Sequence, residues 1–114
     1  MLNRRDALLA THDKLVTAQR LADAGIPHPG TIHLEPGADT PDVAFPCVLK
    51  PRFGSWGQDV SLCRTPSELE TLLRWVQERP WWRRHGAIVQ ELIGPVRRDF
   101  RLVVADERVI AAAE

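Results

Sequence analysis

Two lysines and one glycine-containing loop are the residues of this chain best suited to bind a phosphate. Lys14 and Lys50 are its only lysines, against thirteen arginines. Lys50 ends the apolar run CVLK, and the loop RFGSWGQ, with Gly54 and Gly57, follows directly. Glycines permit backbone conformations that turn N–H groups toward phosphate oxygens, and an ammonium group serves phosphate as a point charge. The order of these residues indicates a phosphate site at the end of a strand.

The loop alone does not establish that site. It lacks the Gly-Lys-Ser/Thr ending of a Walker A loop, and taken alone it favours an ordinary mobile hairpin loop, although Ser55 adds a hydroxyl donor. Lys50 favours phosphate, because arginine would serve a solvated position equally well in this arginine-rich chain. Lys14 lies in the first turn of a predicted helix, where the helix dipole disfavours a cation. For Lys14, a phosphate contact and a solvated side chain stay equally open.

A second candidate group lies at the end of a predicted strand, in the segment QELI at residues 90–93. Its backbone N–H and C=O groups could pair with a purine, between the apolar side chains of Leu92 and Ile93. Asp99 could accept hydrogen bonds from ribose hydroxyls, as acidic residues do at other nucleotide sites. The alternative is that Glu91 and Asp99 form ion pairs with nearby arginines. For either carboxylate taken singly, that alternative is favoured.

Composition argues against several other classes of protein. The 15 basic and 15 acidic residues give zero formal net charge, whereas nucleic-acid and membrane-surface proteins normally carry a basic excess. The run WWRRH at residues 81–85 is therefore interpreted as a loop whose tryptophans cover the core, rather than as a nucleic-acid binder. The four histidines show no metal-ligand spacing, and Cys47 and Cys63 are expected to be small buried residues. No signal or membrane segment is visible, so a cytoplasmic location is expected.

Apolar periodicity and turn signals predict the order α-β-β-β-α-β-β-β, an α/β (α+β) fold with two main helices and a mixed or antiparallel sheet. Thr11 or Asp13 is expected to cap the first helix, and Thr65 the second, with Pro66 at its first position and Glu68 three residues after the cap. The predicted elements are a helix at 13–24, strands at 31–34, 47–50 and 60–63, a helix at 65–79, a strand at 87–93, and a hairpin of strands at 100–105 and 108–113.

Four segments in this order resemble successive blocks of the ATP-grasp ligases, and most closely the RimK and LysX type. They are DKLVTAQRLADAGIPHPGT, PCVLKPRFGSWGQDV, AIVQELI and RRDFRLVVADERVIAAAE. The resemblance implies a partial ATP-grasp domain. Residues 1–86 would form the small lid subdomain with a phosphate loop at 52–60, and residues 87–114 the hinge and the start of the large subdomain.

The resemblance also implies roles for individual residues. Arg101 is a weaker candidate for a catalytic contact on the phosphate or acyl-phosphate side. The implied reaction is activation of a carboxylate by ATP as an acyl phosphate, followed by attack of an amine. The residues implied to contact ATP are Lys14, Lys50, Gly54, Ser55, Trp56, Gly57, Gln58, Val60, Gln90, Glu91, Leu92, Ile93 and Asp99.

In this family a preceding domain and a C-terminal part with the Asp, Glu and Asn ligands of Mg²⁺ would lie outside this sequence. We therefore expect ATP, an amino acid and a carboxylate substrate as partners, no metal ligand within the chain, and no ligase activity from the chain alone. No nucleic acid or membrane partner is expected, and an exposed strand edge would favour a homo-oligomer. A non-catalytic nucleotide- or partner-binding remnant is the alternative, and an arginine- and tryptophan-based nucleic-acid binder is a third hypothesis.

Overall fold

The computed structural model describes residues 3–94 and 98–114. In these residues, helices pack on a four-stranded sheet, and a separate two-stranded sheet follows. In chain order the elements are α1 (Arg5–His12), α2 (Lys14–Asp23), β1 (Thr31–Leu34), β2 (Cys47–Pro51), β3 (Ser61–Cys63), α3 (Pro66–Val76), α4 (Pro80–His85), β4 (Ala87–Glu91), β5 (Arg101–Ala105) and β6 (Arg108–Ala113).

The four-stranded sheet has the order β1-β4-β2-β3, and every neighbouring pair is antiparallel. β4 therefore lies in the middle of the sheet, paired with β1 on one side and β2 on the other. β4 ends at Glu91, and the two-stranded sheet begins at Arg101. The division into subdomains at residue 86 stays a prediction.

The two faces of the sheet have different characters because side chains alternate along each strand. Cys47, Leu49 and Val89 lie on one face and are buried in the core, together with residues of α3 and α4. Lys50 and Gln90 lie on the other face, where their side chains are half-buried. Along β2, buried and half-buried residues alternate, as expected of a strand with one face in the core.

Local signals explain where α2 and α3 begin. The Asp13 carboxylate accepts hydrogen bonds from the N–H groups of Leu15 and Val16, and this confirms Asp13 as the cap of α2. Thr65 caps α3 by accepting from the Glu68 N–H at 3.2 Å. The Glu68 carboxylate reaches back to the Arg64 N–H at 2.7 Å. Both predicted caps are therefore present.

Two short helices were missed. α1 precedes the predicted first helix, and α4 contains the run WWRRH that had been interpreted as a loop. The helix predicted at 65–79 ends at Val76 as α3, and Pro80, directly after the predicted end, occupies the first turn of α4, a position where proline is well tolerated. The burial of Trp82 in the core holds this helix, and the tryptophan thus covers the core as predicted.

Gly86 makes the connection from α4 to β4 and requires glycine for two reasons. Its φ is +66°, a backbone conformation that residues with a side chain rarely adopt. A Cβ atom at this position would lie 2.0 Å from the carbonyl oxygen of Leu34. The absence of a side chain therefore lets α4 end directly against β1.

Cys47 and Cys63 face each other across β2 and β3 as a register pair, and both are fully buried. This confirms the prediction that both are buried residues with free thiols. Burial is also the main cause that raises the pKa of the Cys63 thiol to about 11. Neither thiol is therefore an activated nucleophile.

Candidate functional site

Lys50 forms part of a hydrogen-bonded row that crosses three strands on the face opposite the core. Its ammonium Nζ donates to Gln90 Oε1 at 2.6 Å, from β2 to β4. Gln90 Nε2 donates in turn to Thr31 Oγ1 at 2.9 Å, from β4 to β1. The register of the sheet sets these neighbours side by side, since Gln90 pairs with both Val48 and Thr31. The row fixes where the Lys50 ammonium group lies.

Lys14 brings a second ammonium group to the same region from the start of α2. Its Nζ donates to the carbonyl oxygen of Gly54 at 2.9 Å and to that of Arg52 at 3.5 Å. Its backbone N–H also donates to the Arg52 carbonyl. Lys14 therefore contacts the first part of the glycine-containing loop rather than projecting into solvent.

Burial disfavours the positive charge of both lysines. Burial lowers the pKa of Lys50, and the positive charge of Lys14 lowers it further. Burial also lowers the pKa of Lys14, although the nearby Asp13 carboxylate opposes this effect. Both shifts disfavour the charged forms, so an anion placed between the two ammonium groups would be stabilised by both and would stabilise both.

A cavity of about 200 Å³ opens beside these side chains. It lies between α2 and the polar face of the sheet, and two ammonium groups and two threonine side chains line it together with a substantial apolar wall. This chemistry fits phosphate oxygens. The lining residues are Thr11, Lys14, Thr17, Ala18, Leu21, His28, Pro29, Lys50 and Gln90.

A buried ion pair fixes the start of α2 against the start of the loop. Arg52 donates from Nε to Asp13 Oδ1 at 2.9 Å and from Nη2 to Asp13 Oδ2 at 2.6 Å. Asp13 and Phe53 form an isolated antiparallel bridge. The sequence identified Asp13 as a helix cap, but its pairing with a residue 39 positions later has no local signal.

The loop at residues 54–60 is exposed and consists of two successive turns. Gln58 N–H donates to the Ser55 carbonyl and Val60 N–H to the Gly57 carbonyl, both at 3.4 Å. Trp56 has a φ of +61° and its side chain is 93% exposed. All the predicted loop residues thus lie together, next to Lys14 through Gly54.

The far end of the loop is connected to α4. Trp81 Nε1 donates to Asp59 Oδ2 at 3.0 Å, and Asp59 also has a positive φ, +54°. Sequence reasoning missed this contact, because it depends on a helix that the sequence pattern did not indicate.

The residues of segment 90–93 make contacts in different directions, rather than all facing one site. The Glu91 side chain lies on the face opposite Lys50, where its Oε2 accepts from the Gly30 N–H at 3.3 Å. The Leu92 N–H donates to the Pro46 carbonyl at 3.2 Å and is therefore already used. Leu92 and Ile93 are 39% and 61% exposed. Their contacts with a base stay predictions.

Asp99 and Arg101 lie apart from this cavity and do not line it. Arg101 Nε is 3.8 Å from Asp99 Oδ2, and both side chains are more than four-fifths exposed. This long ion pair is the alternative that the sequence left open for Asp99. Their roles toward ribose and phosphate stay predictions.

No three side chains of His, Cys, Asp or Glu lie together as a metal set anywhere in residues 3–94 and 98–114. Within the same ranges, no helix is long and apolar enough to cross a membrane.

Comparison with known proteins gives the class to which this fold and this site belong. The family model of the RimK-like ATP-grasp domain matches residues 11–114. The chain therefore belongs to the RimK-like ATP-grasp family, and its helices and antiparallel sheets form part of that fold.

Curated relatives carry more particular names. The chain is 33% identical to the glutamate–LysW ligase ArgX of Sulfolobus acidocaldarius, in an alignment covering 96% of this chain and 40% of that protein. The ArgX protein of Sulfurisphaera tokodaii gives the same identity and coverage. A probable alpha-L-glutamate ligase of Xanthomonas campestris is 35% identical, over 96% of this chain and 38% of its own length. The chain spans about two fifths of the length of these relatives.

Proposed function

We propose that this chain supplies the ATP-binding part of a carboxylate–amine ligase. The observation that carries the proposal is the pair of half-buried ammonium groups, Lys14 and Lys50, at one cavity beside a glycine-containing loop. Burial disfavours both positive charges, and the charge of Lys14 adds to this at Lys50, so a nearby anion would stabilise both. A polyphosphate is the anion that an ATP-grasp domain would bring.

Each part of the site has a role in this proposal. Lys50 binds phosphate oxygens from the end of β2, and Lys14 exchanges its contact with the Gly54 carbonyl for a second phosphate contact. N–H groups of the loop at 54–60 close over the phosphates, and the backbone of Leu92 and Ile93 pairs with the base. Asp99 binds the ribose. Neutralisation of charge and positioning supply most of the catalysis in such reactions.

The chemistry proposed for the whole protein joins two substrates. ATP transfers its terminal phosphoryl group to a carboxylate oxygen, and the resulting acyl phosphate is attacked by an amine, which forms an amide and releases phosphate. The names of the curated relatives support glutamate as one of the substrates. Since the described residues do not provide a magnesium set, we derive no step through that ion, and we expect this chain alone to bind ATP without turning it over.

The presence of only two lysines gives a direct test of the ATP site. The chain is treated with a limiting amount of an amine-reactive ester, with and without millimolar ATP, and acylation is mapped by mass spectrometry. We expect ATP to protect Lys14 and Lys50 severalfold relative to the N-terminal amine, which serves as an internal reference. Adenosine, which has no phosphate, should protect neither lysine.

Matched variants separate the site from a general charge effect. Lys50→Met should remove most of the protection of Lys14, whereas Arg64→Met, which removes an exposed cation next to β3, should leave it intact. Acylation of both lysines at equal rates with and without ATP would contradict the proposal.

A further inference from the structure

The hydroxyl group of Thr31, the first residue of β1, has a fixed hydrogen-bonding direction. Its Oγ1 lies 2.8 Å from the carbonyl oxygen of Pro29. Because a carbonyl oxygen can only accept, the single hydroxyl hydrogen of Thr31 is committed to this bond. What Thr31 offers to any other neighbour is a lone pair, and therefore only an acceptor.

That acceptor, together with the donor-only ammonium group of Lys50, determines the orientation of the Gln90 side-chain amide. The amide atom 2.9 Å from Thr31 Oγ1 has to be the donor, Nε2, since two acceptors would repel each other. The carbonyl atom Oε1 then faces the Lys50 ammonium group, at 2.6 Å, a short distance typical of a hydrogen bond to a charged group. A chain of obligatory donors and acceptors thus runs from Pro29 to Lys50.

We infer that Thr31 is a positioning residue for Lys50, which it holds in place through the oriented amide of Gln90. The inference rests on the proposed function, in which Lys50 binds a phosphate. Thr31 does not touch the phosphate in this arrangement. Its hydroxyl group keeps the Gln90 Oε1 acceptor directed at the Lys50 ammonium group, with Gln90 on β4, the strand between β1 and β2.

The surroundings of Lys50 make this support necessary. Its half-buried ammonium group shares the cavity with the cation of Lys14 from α2 and with the ring of His28, which precedes β1. No carboxylate lines that cavity. Without the Thr31 acceptor, Gln90 Nε2 has no partner on β1, and the side chain is held from the Lys50 side alone. Oε1 is then less firmly placed, and Lys50 can swing away from the position that the row of hydrogen bonds defines.

The test compares Thr31→Val with Thr31→Ser in the full 114-residue chain, without nucleotide. Valine has the shape of threonine and suits a strand, but neither donates nor accepts, whereas serine keeps both roles. Selective ¹³C labelling of lysine gives two ε-carbon signals, whose titration reports the two pKa values. We expect Thr31→Val to lower the pKa of Lys50 by about one unit, the equivalent of one hydrogen bond to a charged group. Thr31→Ser should leave it unchanged.

A second background distinguishes orientation from general disruption. In Gln90→Glu, both carboxylate oxygens accept, so the side chain can serve Lys50 without being oriented by Thr31. Adding Thr31→Val to Gln90→Glu should therefore shift the pKa of Lys50 much less than it does with Gln90 present. Equal shifts in the two backgrounds, or no shift with Gln90 present, would overturn the inference. Because no ATP is present, these outcomes are independent of whether the chain binds ATP.

Discussion

Within residues 3–94 and 98–114, Asp13 is the only charged residue that is buried. A buried carboxylate is costly unless it is paired and hydrogen-bonded. Here it accepts two bonds from Arg52 and two from backbone N–H groups of α2. The cost of burial is thus offset where the helix that carries Lys14 meets the loop that follows Lys50.

We predict that Asp13 makes the stability of the chain depend on pH in the acidic range. Its hydrogen bond with Arg52 is the main cause that lowers the pKa of Asp13 from the ordinary value of 3.8. A lowered folded-state pKa means that the contribution is present above the unfolded pKa and is lost as the pH falls through the folded one. Asp13→Asn should reduce the free energy of unfolding by about 2 kcal/mol at neutral pH and by much less near pH 3.

Urea unfolding at both pH values checks this prediction. Asp6→Asn is the matched control, because the pair of Asp6 with Arg4 is exposed and should contribute about 0.5 kcal/mol or less. If Asp13→Asn were as sensitive to acid as the unsubstituted chain, another group would be responsible.

The sequence revealed part of the site at this scale. Lys50 and its loop were predicted because they are adjacent in the chain, and their chemistry can be interpreted from order alone. The hydrogen-bonded row could not be predicted from the sequence. Gln90 is 40 residues from Lys50 and 59 residues from Thr31, and the three side chains meet only through the strand register. Asp13 and Arg52 illustrate the same limit.

At the scale of elements, the loop at 54–60 is held at both ends and free in its middle. Lys14 contacts its first residue, and Trp81 of α4 contacts Asp59 near its last. Within the part of the chain that the structure describes, the turns between these contacts are held by their own backbone hydrogen bonds at 3.4 Å. The contacts at the two ends therefore determine how readily the loop opens.

We predict that Trp81→Phe loosens this loop. Phenylalanine keeps the aromatic ring but lacks the N–H that donates to Asp59, and the loss of one hydrogen bond corresponds to about a fivefold change in the open population. Limited proteolysis with chymotrypsin at the exposed Trp56 measures that population. The rate of cleavage should rise about fivefold in the variant.

Trp75→Phe is the control for this experiment, because Trp75 stacks with Arg79 on the surface of α3 and has no bond to the loop among the described contacts. Unchanged cleavage in Trp81→Phe would show that the Asp59 contact does not restrain the loop.

Strands and helices were predictable where the local pattern was complete. The apolar run CVLK and the capped segment from Thr65 both appear as expected. α4 was missed because Pro80 is a stop signal for one helix and a start signal for the next, and only the burial of Trp82 decides between them. The position of β4 between β1 and β2 is likewise a property of the packed sheet, since the sequence of an apolar strand does not indicate which strands it will pair with.

At the scale of the whole molecule, the two sheets differ in burial. The four-stranded sheet encloses the core, whereas every residue of β5 and β6 is exposed. Large apolar side chains are therefore concentrated on the surface of the hairpin, and such patches favour association. They are Leu102, Val103, Val104, Val109 and Ile110.

We predict that the isolated chain self-associates through this hairpin. Its sedimentation coefficient should rise with protein concentration, and Ile110→Lys should weaken that rise by placing a charge in the contact. Leu9→Lys is the matched control, since Leu9 is similarly exposed but belongs to α1. A sedimentation coefficient independent of concentration, or equal effects of the two variants, would contradict the prediction.

The central position of β4 also has a consequence for the order in which the chain can fold during synthesis. β2 and β3 are close in sequence and can pair early, but β1 has β4 as its only neighbour in the four-stranded sheet. β1 can therefore not pair with β4 until more than fifty further residues have been synthesised after it. Pairing over such a separation is slow. The sheet that carries Lys50 is completed only when Glu91 has emerged, and until then the polar row from Thr31 to Lys50 does not exist.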